Sequence, residues 1–164
     1  PMSCRKLLQT LLKCATGDGN LLMNVGPMPD GTMPPDHVAR LREAGDWLKA
    51  HGEAVYGTRG GPFRNDETGG MTCRGNTIYV HVWDWPAHRV CLPEINARIL
   101  SVYSPTARDL HHEMVDGRLC FSVGEQDRLS LDTLVVLTLD RPAEAVRNND
   151  LPWRLQQTGK GQAA

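Results

Sequence analysis

The sequence predicts an α/β segment over its first third, followed by an antiparallel all-β sandwich. Residues 3–17 and 34–52 space their apolar side chains at helical intervals on either side of a short apolar run at 20–25. Gly60-Gly61-Pro62 then punctuates a change of period, beyond which short alternating runs are separated by turn pairs.

The first helix follows Ser3, an N-cap residue, and carries Leu7, Leu8, Leu11, Leu12 and Ala15 as a single apolar stripe, with Gly17 as its stop. Leu21, Leu22, Met23 and Val25, interrupted only by Asn24, read as a strand buried on both faces, as in a parallel sheet. Gly26, Pro27, Pro29, Asp30 and Gly31 end that strand in a turn-rich loop. Pro34-Pro35 opens a second helix, because proline is tolerated in a first turn. Val38, Leu41, Ala44 and Leu48 form its apolar face, and Gly52 is expected to close it as the C′ residue.

Residues 60–70 read as a linker. Strands are expected at 71–74, 76–83, 89–92, 97–103, 109–115, 119–123 and 133–139, with Gly75-Asn76 and Asp116-Gly117 as hairpin turns. In the second strand Ile78, Val80 and Val82 share one face, and Thr77, Tyr79, His81 and Trp83 the other. Short strands at this spacing predict a sandwich. The polar, aperiodic tail at 141–164 is expected to be disordered.

A net charge of −1 with scattered Lys and Arg argues against a nucleic-acid or anionic-membrane partner. No run of 18 apolar residues is present to form a transmembrane helix. The chain opens on Pro1 without a charged, then apolar, leader, and its true N-terminus is expected to lie elsewhere. Its five cysteines show neither Cys-x-x-Cys nor zinc-site spacing and read as small buried apolar residues, at least one of them unpaired.

Gly-Asn-Leu-Leu-Met-Asn-Val-Gly-Pro-Met-Pro-Asp-Gly at 19–31, followed by Trp-Leu-Lys-Ala-His-Gly-Glu-Ala-Val-Tyr-Gly-Thr-Arg at 47–59, closely resembles the α-L-fucosidases of glycoside hydrolase family 29. Met23 and Met28 stand where that family usually has Leu and Thr. Gly75-Asn76-Thr77-Ile78-Tyr79-Val80 and Trp85-Pro86 resemble motifs of its C-terminal domain and extend the likeness to about residue 140.

The resemblance implies that residues 1–59 end a (β/α)₈-like catalytic barrel, 60–70 link, and 71–140 form a C-terminal β-sandwich. A whole barrel takes about 250 residues, so this chain is expected to depend on an upstream barrel as its structural partner. The implied activity is retaining hydrolysis of terminal α-L-fucosyl linkages of a fucosylated glycan, with neither metal nor cofactor. A secreted, periplasmic or lysosomal setting goes with the family. The family's nucleophile, acid/base and fucose-binding residues map before Pro1; no catalytic residue is assigned, and the chain alone is expected to be inactive.

Asn24 and Asp30 are the candidates for lying near substrate, at the end of the expected strand where α/β enzymes place chemistry, although a turn Asp more often caps its own loop. Glu53, Tyr56 and Arg59 read as a structural junction, with Glu53 a buried or half-buried anchor and Arg59 its partner. Trp83 and Trp85 could stack a sugar ring; the alternative is that Tyr79, His81 and Trp83 cover the interface between sandwich and barrel. His111 and His112 point to opposite strand faces and cannot chelate one ion together. The competing reading of the whole chain is a non-catalytic carbohydrate-binding or interaction sandwich.

Overall fold

The computed structural model describes residues 2–156. Helix α1 (Cys4–Thr16) starts where Ser3 Oγ accepts the Lys6 amide at 3.2 Å and buries Leu7, Leu8 and Leu12. The Gly17 amide closes it by donating to the Lys13 carbonyl at 3.1 Å. Helix α2 (Pro35–His51) begins on its proline and buries only Ala44. Its end differs from expectation, because Gly52 stays right-handed and continues into a 3₁₀ turn at Gly52–Ala54. The left-handed glycine that turns the chain is Gly57, at φ +68°.

The strand expected at 20–25 does not form. Its backbone needs a neighbouring strand, and none pairs with it among the described residues. The segment crosses the surface with Leu22 86% exposed. No element of a parallel barrel is assembled around it among the described residues.

From residue 59 the chain is mostly antiparallel sheet. β1 (Arg59–Gly60), β3 (Gly69–Arg74), β4 (Thr77–Val82), β9 (Thr133–Leu139) and β6 (Ile99–Tyr103) form one sheet, in the order β1-β3-β4-β9-β6. β5 (Val90–Cys91), β8 (Arg118–Val123) and β7 (Leu110–Val115) form the second. The Asp116-Gly117 turn joins β7 to β8 with φ of 50° and 75°, the left-handed pair a two-residue hairpin requires.

Ile78, Val80 and Val82 lie in the main core with Leu119, Phe121, Val135 and Leu137, on the predicted face. The opposite face of β4 packs on the helical layer, where Trp83 meets Leu8 and Leu12, and Tyr79 meets Ala54.

Three expectations are corrected here. The 60–70 segment is part of the sandwich: β2 (Phe63–Arg64) buries Phe63 in the main core. The tail is ordered at least to residue 156, since β10 (Asn148–Pro152) pairs parallel with β2 while Ala143, Val146 and Trp153 enter the core. These apolar residues are too irregularly spaced to advertise an element, yet they seal the end of the sandwich. Residues 157–164 of the expected tail lie outside the described residues. Finally, Cys91 and Cys120 form a disulfide between β5 and β8, with Cα atoms 4.0 Å apart. Only the β5–β8 register brings them together, which is why 29 residues of separation conceal the pair in the sequence.

Candidate functional site

Asp18 anchors the junction between helix and sheet. It adopts a left-handed φ of 64° just past α1, which turns its carboxylate onto β1. Oδ1 accepts the Gly60 amide at 2.9 Å and Oδ2 accepts Arg59 Nη2 at 2.6 Å. The Gly60 amide first, then the Arg59 guanidinium, hold this carboxyl below its ordinary range against the opposing effect of burial. Gly60 must lack a side chain, because a Cβ there would stand 2.3 Å from the Asp18 nitrogen and 2.7 Å from the Thr16 carbonyl oxygen.

A polar cleft of about 410 Å³ opens beside this junction, with Asp18, Asn20, Tyr56, Gly57 and Arg59 in its wall. The two sequence motifs therefore meet here. Arg59 pairs with Asp18 and not with Glu53, which is exposed rather than buried or half-buried. The correction follows from the 3₁₀ turn, which rotates Glu53 outward while Ala54 fills the interface.

Asn24 lies elsewhere, in a smaller apolar cleft of about 180 Å³ whose wall includes Met23, His37, Arg40 and Leu41. Asp30 lines neither cleft. It is exposed and accepts the Thr32 amide at 3.0 Å and the Thr32 hydroxyl at 2.7 Å, bonds that hold it below its ordinary range. That geometry is a self-capped turn.

The tryptophans do not form an open platform. Trp83 is 3% exposed and donates its indole N–H to the Glu67 carbonyl at 2.7 Å. Trp85 is half-buried, bonded to Thr133 Oγ1 at 3.0 Å, edge-on to Phe121, and covered by Arg128 at 5.5 Å from the ring centre. Tyr79 packs with Ala54, and Trp83 with Leu8 and Leu12 of the helical layer.

A buried polar chain was not read from the sequence. His81 Nδ1 lies 2.7 Å from Asp132 Oδ2, and Nε2 lies 3.3 Å from Thr72 Oγ1, whose hydroxyl donates to the Ala54 carbonyl at 2.5 Å. The order Asp, His, hydroxyl has the look of a nucleophilic relay. All three side chains are sealed from solvent and the hydroxyl is committed to a backbone oxygen, so these contacts tie the residue preceding β9, and β4 and β3, to the 3₁₀ turn instead. Its one sequence signal was the placement of His81 on the interface face.

Retaining glycoside hydrolysis needs two carboxyl groups about 5 Å apart across the scissile bond. Neither cleft holds such a pair: Asp18 is the single carboxylate in the larger, and the smaller has none. Burial pushes the Cys73 thiol up to about 11, with Glu144 adding to the effect, which removes it as a nucleophile. Among the described residues, no group of three or more His, Cys, Asp or Glu side chains converges as a metal site.

The α-L-fucosidase family model matches residues 2–53. The α-L-fucosidase of Branchiostoma floridae is 40% identical over 83 residues, which are 49% of this chain and 18% of that protein. Human plasma α-L-fucosidase is 42% identical over 65 residues, 40% of this chain and 14% of the relative. The chain is homologous to the C-terminal portion of the α-L-fucosidases. Among solved α-L-fucosidases, that of Thermotoga maritima in complex with fucose superposes with a TM-score of 0.62 at 26% identity, covering 84% of this chain and 35% of that one. An α-L-fucosidase isoenzyme of Paenibacillus thiaminolyticus shares the fold with a TM-score of 0.74 at 24% identity, over 85% of this chain and 35% of that one. The chain thus spans about a fifth of the length of the curated fucosidases it matches.

Proposed function

We propose that this chain serves as the C-terminal portion of a retaining α-L-fucosidase that removes terminal α-L-fucose from glycoconjugates. The observation that carries this reading is the 2–53 family match joined to a sandwich that superposes on solved fucosidases. In this reading residues 1–59 complete a catalytic barrel, and 20–25 become its strand when an upstream neighbour supplies the missing ladder. The exposed apolar side chains of Leu22, Val25, Met28 and Leu41 support that role, since such surface is covered in a finished molecule.

The nucleophile and the acid/base then lie in the preceding part of the enzyme. Asn24 and Asp30 approach the sugar only once the barrel is complete, while Asp18, Tyr56 and Arg59 hold barrel and sandwich together, with Glu53 at the rim of that junction. The Cys91–Cys120 disulfide suits the oxidising compartment of a secreted, periplasmic or lysosomal enzyme. A free-standing carbohydrate-binding module has less support, since Trp83 and Trp85 are buried and covered respectively.

The test is hydrolysis of an aryl α-L-fucoside by the 164-residue chain alone, and by the same chain joined behind the preceding part of the lancelet relative. We expect turnover only from the joined protein. Turnover by the chain alone would place the catalytic pair within these residues and refute the assignment.

A further inference from the structure

We propose that β7 is a self-association edge, on which a second copy of this chain adds its own β7 antiparallel across a two-fold axis at His112. β7 ends the order β5-β8-β7 and is exposed over residues 111–115. Edge strands are usually blunted by charged side chains, lysine above all, by proline, by a bulge or by a covering element. β7 contains neither proline nor lysine, its carboxylate Glu113 is paired with Arg89, and its register with β8 runs unbroken from Leu110↔Val123 to Val115↔Arg118. No strand pairs with its outer side among the described residues.

The hairpin decides which groups are offered. The residues flanking a two-residue turn, here Val115 and Arg118, exchange hydrogen bonds, and the pattern alternates from there. Val115, Glu113 and His111 therefore direct their N–H and C=O toward β8, while Leu110, His112 and Met114 direct theirs outward. The same alternation makes Cys120 a non-hydrogen-bonded partner of Cys91, consistent with their close Cα approach of 4.0 Å.

One register of β7 against itself satisfies both the backbone and the side chains. An axis at His112 opposes the outward groups of His112 to those of the same residue in the second copy, and those of Leu110 to those of Met114. On the inner face this sets Leu110 against Met114, which is 57% exposed in the single chain. On the outer face it sets His111 of each copy against Glu113 of the other, in a non-hydrogen-bonded pair with Cα atoms about 4.5 Å apart, the closest cross-strand spacing. Glu113 already pairs with Arg89 at 3.1 Å and His111 with Asp109 at 2.8 Å, so the row across the junction would alternate donors with carboxylates. Moving the axis to Glu113 opposes that residue to itself, and moving it to His111 opposes Asp109 to Glu113. Both alternatives place like charges directly across the ladder.

Sedimentation of the full 164-residue chain, combined with directed crosslinking, tests this. The wild type is expected to be a dimer, and Glu113→Lys, which replaces the acceptor for His111 by a cation at both cross-strand pairs, to weaken it about tenfold or more. Leu22→Arg, on the exposed N-terminal segment, is expected to leave the dimer intact. His112→Cys should give an oxidised dimer, since hydrogen-bonded partners lie about 5.5 Å apart at Cα, within disulfide reach, whereas His111→Cys should not. A wild type that stays monomeric at about 100 μM, well above the concentrations at which specific dimers form, would overturn the proposal. So would a dimer that survives Glu113→Lys, one lost on Leu22→Arg, or equal crosslinking at positions 111 and 112.

Discussion

Gly60 and the His81–Asp132 pair hold the helical layer on the sheet by opposite means, one through the absence of a side chain and the other through buried polar contact. Gly60→Ala puts a methyl group against immovable backbone, and urea unfolding is expected to report a loss of about 1–3 kcal/mol. His81→Leu leaves the Asp132 carboxyl buried without its donor, and a loss of about 3–5 kcal/mol is expected from the same measurement. Asp18 makes a pH-dependent contribution. Its folded-state pKa lies below its unfolded value near 3.8, so its stabilisation is complete above that value and is lost as pH falls through the folded pKa. The stability gap between wild type and Asp18→Asn should close as pH drops from about 6 to about 2, and a gap that widens would contradict the assigned sign. At this scale the sequence was partly misleading. The Gly-Glu-Ala-Val-Tyr-Gly-Thr-Arg motif marked the right neighbourhood, but Arg59 found its carboxylate 41 residues upstream at Asp18. Sequence distance gives no sign of such a pairing.

Elements were legible where their own periodicity decides them and obscure where a partner does. The α1 stripe and the alternation of β4 fix a buried face locally, and the structure buries Leu7, Leu8 and Leu12, and Ile78, Val80 and Val82, as expected. Residues 20–25 have the pattern of a buried strand, yet a strand exists only through its neighbours. β10 and the Cys91–Cys120 bridge escaped notice for the converse reason, since tertiary pairing creates them without any local signal. Two outcomes follow. Replacing both bridged cysteines with alanine should cost about 3–4 kcal/mol, from the freedom returned to a loop of 29 residues' separation in the unfolded chain. Amides at 20–27 should exchange with solvent at close to unprotected rates in this chain and become protected when the preceding part of a fucosidase is joined to it. Slow exchange in the chain alone would show that the segment finds its partners without a barrel.

At the scale of the molecule, the helices cover the outer face of the larger sheet and the 60–70 and 143–153 segments contribute to the main core, while the N-terminal apolar segment remains open. Such a body supports a site more readily than it forms one, and neither the polar cleft beside Asp18 nor the apolar cleft beside Asn24 holds the paired carboxylates that glycoside hydrolysis requires. The overall division into a helical layer and a β-sandwich could be read from the change of period near residue 57. The linker between them could not, because Phe63 looks like a loop residue until Trp153 and β10 arrive to bury it. The most direct measurement is to treat the joined fucosidase with a 2-fluoro-fucosyl fluoride, which arrests a retaining enzyme at its covalent glycosyl intermediate, and to locate the adduct by peptide mass spectrometry. An adduct is expected on a carboxylate upstream of these 164 residues and none within them. An adduct on Asp18, Asp30 or Glu53 would contradict it.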